Sequence, residues 1–153
     1  MDPGRTRQND RLIVALHGQM TDKADRRTVL VEMLPAGWEI EAVIRTAGKD
    51  GPYGFLAPLS DSRVEEARDD RFVAAFDLAG AGGGFGGGAT DADEGSDPSD
   101  AAPTLPADEF HVAYLVRVVT PGHFALPEAE VEDMYRPEVM ARTNAGAIGV
   151  APR

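Results

Sequence analysis

The sequence contains no cysteine. That absence excludes disulfides, thiol nucleophiles, cysteinyl metal ligation and a thioester formed by this chain itself. It leaves the compartment open, because a domain with an adequate core needs no disulfide even in an oxidising space. No apolar run approaches the roughly 18 residues of a membrane-spanning helix. The opening residues, MDPGRTRQNDR, lack the apolar stretch of a secretion signal. Positive charge is missing from one long region: no Lys or Arg lies between Arg71 and Arg117. Asp77, Asp91, Asp93, Glu94, Asp97, Asp100, Asp108 and Glu109 all fall inside it. The net charge of -11 argues against nucleic acid and anionic membrane surfaces as partners, although most of the acidity belongs to that one region.

What is present suits one globular domain. The 153 residues are enough for a single core, and 42% hydrophobic with 27% charged residues is ordinary composition. Residues 1–10 are polar, include Pro3 and Gly4, and read as a flexible leader; residues 11–153 are expected to form a single domain. The spacing predicts an interior strand over 11–17, with Leu12, Val14 and Leu16 on one face and Ile13 and Ala15 on the other. A second strand is expected over 28–34, followed by a turn at Pro35-Ala36-Gly37. Over 38–45 Trp38, Ile40, Ala42 and Ile44 alternate with Glu39, Glu41 and Arg45, the pattern of a half-buried strand. Residues 46–58 read as a loop that packs Tyr53, Phe55 and Leu56 on the body. Residues 63–78 read as a hairpin turning at Asp69-Asp70, with Phe72, Ala74, Phe76 and Leu78 inward. A short helix over 61–67 is the competing reading.

Residues 79–108 are of low complexity. Seven glycines fall between Gly80 and Gly88, and an Asp/Ser/Pro/Ala tract follows. Such a stretch buries too little apolar surface to offset its ordering entropy, so it reads as a disordered, flexible insertion whose removal should leave the melting temperature nearly unchanged. The strongest strand is expected over 109–120, with Phe110, Val112, Tyr114, Val116 and Val118 on one face. A turn at Pro121-Gly122, strands over 123–126 and 128–133, an irregular segment or single helical turn over 134–142, and a last strand over 147–150 complete the chain. Many short strands, closely spaced Gly/Pro turns and no long helical period predict an all-β fold, an antiparallel β-sandwich.

Catalytic signals are weak. His17, His111 and His123 stand in no metal-binding spacing and read as packing or surface residues. The run GAGGGFGGG has no following Lys-Ser or Lys-Thr and reads as linker rather than a phosphate-binding loop. Asp91, Asp93, Gly95 and Asp97 resemble a calcium loop, but the glycine is one position early and the bidentate Glu is missing. Glu128, Glu130 and Glu132 alternate on one outward strand face, beside Asp133, as a solvated face does. None of Ser60, Ser62, Ser96 and Ser99 sits in a nucleophile elbow. A hydrolase is therefore the weakest functional reading, and no catalytic residue, metal or cofactor is assigned. Met134-Tyr135 differs: a flexible thioether and an aromatic side by side, followed by Arg136-Pro137. These two either plug the end of the core or form an exposed apolar tip.

Several stretches resemble the C-terminal macroglobulin domain of bacterial alpha-2-macroglobulins. They are RQNDRLIVALHG, TVLVEMLPAGWEIE, EARDDRFVAAFDL, the long run FHVAYLVRVVTPGHFALPEAEVEDMYRPEVMART and the final IGVAP. The ordered pair TPGHFALP and VEDMYRPE is the most specific part. The resemblance implies a macroglobulin-type, immunoglobulin-like sandwich within large periplasmic proteins, often anchored to the inner membrane, that trap proteases after cleavage of a bait region. In many such proteins a thioester then bonds the protease, and the C-terminal domain lies against the thioester domain and shields it. The expected partners are thus the other macroglobulin domains and the thioester domain of a parent protein, with proteases met only through that parent. No nucleic acid or direct membrane contact is expected. On this resemblance Met134, Tyr135, Arg136 and Pro137 are the candidate docking and shielding residues. Without a bait region or thioester domain, the chain is expected not to inhibit on its own. A free-standing β-sandwich binding or adhesion module is the alternative.

Overall fold

The computed structural model describes residues 6–46, 51–56, 58–80 and 105–153. The glycine run beyond Gly80 and the acidic group Asp91, Asp93, Gly95 and Asp97 lie outside the described residues. Eleven strands run in the order β1 (Thr6–Arg7), β2 (Arg11–Gln19), β3 (Arg26–Met33), β4 (Trp38–Ile44), β5 (Val64–Ala67), β6 (Arg71–Leu78), β7 (Glu109–Val118), β8 (Gly122–Leu126), β9 (Ala129–Asp133), β10 (Arg136–Arg142) and β11 (Gly146–Ala151). No helix occurs among the described residues, so residues 61–67 do not form the competing helix. The fold is all-β, as expected.

Two sheets make the layers. One has the order β2-β7-β4 and the other β10-β9-β3-β6-β5, all antiparallel. Strand β7 is the spine of the first layer. Its inward side chains Phe110, Val112, Tyr114, Val116 and Val118 are all buried. They meet Leu30, Phe72, Ala74, Phe76 and Leu78 of the second layer within one apolar core. Phe72 stacks on Tyr114 with ring centroids 4.7 Å apart, and Phe76 stacks on Phe110 at 4.9 Å. Burial of each such ring contributes on the order of 1.5–3 kcal/mol. Tyr114 also donates its hydroxyl proton to the buried Glu32 carboxylate of β3, a polar link between the layers. A third, smaller sheet, β1-β11-β8, contains one parallel pair, β1 with β11.

The structure corrects the sequence reading in five places. Residues 6–10 are not a frayed leader. Thr6 is buried, pairs with Val150 and donates to the Gly149 carbonyl at 2.8 Å. Asn9 and Asp10 bond to the two backbone groups of Val118 at 2.7 and 2.9 Å. Two residues of pairing carry no periodicity, so sequence could not show them.

Strand β4 does not alternate cleanly. Its register shifts between Ile40 and Ala42, so Val43, opposite Tyr114, packs against the core while Ala42 is exposed. One extra residue in a bulge inverts every later side chain. Phe55, expected to pack on the body, is 73% exposed.

The insertion is narrower than 79–108. Ala79 is buried and its N–H bonds to the Ala107 carbonyl, while the Met20 N–H bonds to Asp108, both at 2.9 Å. Gly80 N–H reaches the Asp25 carboxylate at 3.1 Å. Finally, residues 134–142 are neither irregular nor helical, because Arg136–Arg142 forms strand β10 against β9. All seven of its residues are exposed, so no apolar alternation marks it. Pro137 falls where the register shifts between Arg136 and Met140, so its missing N–H costs no ladder bond.

Candidate functional site

The turn between β9 and β10 projects from the edge of the five-stranded sheet. It gathers Met134, Tyr135, Arg136 and Pro137 in one place. Met134 is 51% and Tyr135 72% exposed, so neither plugs the core. Arg136 and Pro137 are exposed at the start of β10.

An exposed turn of this kind needs its backbone held from below, and here three N–H groups in a row are. Met134 N–H donates to the Arg27 carbonyl at 2.8 Å. Tyr135 and Arg136 N–H donate to Asp133 Oδ1 at 2.8 and 3.2 Å. Asp133 is buried, at 5% exposure, and its other oxygen, Oδ2, accepts from Arg26 Nη1 at 2.7 Å. Arg26 is itself buried on β3 and also pairs with Asp22 in the β2–β3 connection. The Tyr135 N–H and the Arg26 guanidinium hold the Asp133 carboxyl below the usual carboxylate range, against the opposing effect of burial. Arg26 holds Asp22 low in the same way. Above the turn, Arg27 Nη1 donates to the Tyr135 hydroxyl at 3.2 Å and orients the ring. Ala24, Asp25, Arg27 and Arg136 line a small cleft beside that ring.

The four residues singled out from sequence therefore lie together. Sequence reading missed Asp133, Arg26 and Arg27. Asp133 was grouped with the solvated acids Glu128, Glu130 and Glu132. The signal available was local: an Asp whose side chain can bond backbone amides two and three residues on, just ahead of a proline. Arg26 and Arg27 carried none, since the groups they meet at this turn lie 107 and 108 residues away.

The other candidates are placed elsewhere. Glu130 pairs with Arg142 of β10 at 2.8 Å and Glu128 approaches it at 3.9 Å, which accounts for two of the three alternating acids. His17 pairs with Glu109 at 3.0 Å, and buried His111 faces the Pro58 carbonyl at 3.2 Å. Among the described residues no three His, Asp or Glu side chains converge as a metal site would require.

Comparison with known proteins points one way. Residues 100–138 match the family described as the bacterial alpha-2-macroglobulin MG10 domain. An alpha-2-macroglobulin of Xylella fastidiosa strain Temecula1 is 32% identical over 146 residues, covering 88% of this chain and 7% of that protein. The chain thus spans only a small part of the curated relatives it matches. A crystal structure of Salmonella alpha-2-macroglobulin reacted with methylamine superimposes with a TM-score of 0.69 at 24% identity, covering 99% of this chain and 8% of that one. Trypsin-activated alpha-2-macroglobulin from Escherichia coli superimposes with a TM-score of 0.66, again at 24% identity, covering 99% of this chain and 9% of the other. These two likenesses establish the fold.

Proposed function

The chain is a macroglobulin domain of the bacterial alpha-2-macroglobulin type, and from that premise we propose that it caps a thioester domain within a protease-trapping inhibitor, on the periplasmic side of a membrane-anchored parent. The domain performs no chemistry of its own. It lays the Met134-Tyr135 tip against the partner domain and keeps water and small nucleophiles from the thioester until the trap is sprung. Proteases are met through the parent, and the cap is released when the parent changes shape.

The observation that carries this reading is the exposure of Met134 and Tyr135 on a backbone held from beneath. Large apolar side chains at an ordered projecting turn are what a docking surface uses: aromatic area delivered with little loss of freedom. The reaction of the Salmonella relative with methylamine and the trypsin activation of the E. coli relative supply the chemical probes.

In a full-length parent, changing Met134 and Tyr135 to Ala should accelerate loss of the thioester to methylamine. Truncating a central docking residue costs about 2 kcal/mol or more, so the rate should rise roughly tenfold or more. An unchanged rate would remove the shielding role.

A further inference from the structure

We infer that Asp133 is the positioning residue that presents Met134 and Tyr135 as a preformed tip, through a carboxylate whose two oxygens do separate jobs. Oδ1 takes both turn amides, from Tyr135 and Arg136. Oδ2 takes Arg26, which fastens the carboxylate to β3 across the β9–β3 pairing. The inference rests on the docking reading only for what the tip meets, not for how the tip is held.

Geometry and burial carry it. A side chain 5% exposed lies directly beneath two of the most exposed apolar side chains in the described structure. From above, the bond from Arg27 to the Tyr135 hydroxyl is solvent-exposed. Fixing a residue's backbone costs about 1–2 kcal/mol, and a turn already fixed does not incur that cost again on docking. Two cations adjoin Asp133. Arg26 from β3 binds it, and Arg136 follows in the turn. Asp22 is paired with the same Arg26, while Asp25, beside the same cleft, accepts the Gly80 N–H.

The split between the oxygens gives a test with two opposite variants. Asp133→Asn keeps an acceptor for the turn amides but puts an NH2 group against Arg26. Asp133→Glu keeps the pair with Arg26 but carries the carboxylate one methylene away from the turn. Amide exchange would be followed by NMR on the isotopically labelled 153-residue chain. Asp133→Glu is expected to speed exchange at Tyr135 and Arg136 by roughly tenfold or more relative to core amides such as Tyr114, the loss of a hydrogen bond to a charged group. Asp133→Asn is expected to leave the two turn amides protected even where its melting temperature falls further. If both variants change turn and core amides by one common factor, Asp133 is a stability residue and the inference fails. It fails equally if Asn loosens the turn and Glu does not. In a full-length parent, Asp133→Glu should raise methylamine sensitivity in step with the turn. Loosened amides with an unchanged methylamine rate would uphold the positioning role and overturn the shielding role.

Discussion

At the scale of single residues, two buried carboxylates of this domain respond to pH in opposite senses. Burial pushes the Glu32 carboxyl above its ordinary value, against the pull of the Tyr114 hydroxyl that donates to it. Burial, with the Glu32 charge beside it, pushes the Tyr114 hydroxyl up as well. Glu32 therefore binds its proton more tightly folded than unfolded. Stability should fall as pH rises through the window that opens near 4.5, the ordinary value of the group, and closes at its raised folded value. Glu32→Gln, which keeps an acceptor for Tyr114, should remove that decline. In urea titrations the variant should match the parent chain below the window and exceed it at neutral pH; parallel curves would refute the assignment. Asp133, held low, works the other way: its contribution is present at neutral pH and is lost as pH falls through its depressed folded value. Tyr114→Phe leaves Glu32 buried without its partner and should cost about 1–3 kcal/mol at neutral pH. None of this was legible beforehand. The strand of Thr28, Leu30 and Glu32 placed a glutamate on the inward face, but only the facing layer supplied the hydroxyl that makes it tolerable.

At the scale of elements, legibility tracked apolar alternation. Strand β6, after the turn at Asp69-Asp70, and the central strand β7 were readable because both send an apolar face into the core, while the largely exposed β5 was legible only through that turn. Strand β10 was not, because its residues face solvent and its pairing with β9 is a matter of backbone hydrogen bonds, which any sequence can supply. Strand β4 was readable up to Ile40, beyond which the bulge reversed the faces. Strand β2 contains a close approach that sequence did not reveal. A Cβ on Gly18 would stand 2.3 Å from the Phe110 ring. That ring is buried and stacked on Phe76, so it has no room to yield. Gly18→Ala should therefore destabilise the domain by about 1–3 kcal/mol, the usual range for overpacking, seen as a lower urea midpoint with an unchanged slope. Wild-type stability in that variant would mean that the ring rearranges freely.

At the scale of the whole molecule, the boundaries of the insertion are set by long-range bonds. Ala79 and Ala107 are joined to each other, and Asp108 to Met20 and Gln19. Removing residues 79–108 entire, which composition suggested would be neutral, takes these bonds away. At about 0.5–1.5 kcal/mol for each, the melting temperature should drop by roughly 5 °C or more. Replacing only residues 81–104 with a short Gly-Ser linker spares every one of them and should shift the melting temperature by less than about 2 °C. Calorimetry on the two deletions side by side separates the cases, and equal melting temperatures would show that the roots contribute nothing.

The sequence by itself determined the class of the fold, its strongest strands, the family likeness and the segment that holds Met134-Tyr135. Those properties are local: side-chain alternation, turn residues and ordered motifs are written in consecutive positions. The tertiary structure alone decided that the tip stands in solvent rather than in the core, that Asp133 and Arg26 hold it, and that residues 6–10 belong to the body. Each of these depends on which groups meet across the sandwich. Arg26 and Asp133 lie 107 residues apart, and Thr6 and Gly149 lie 143 apart. No window along the chain contains both partners, so only the packing of the layers could bring them together.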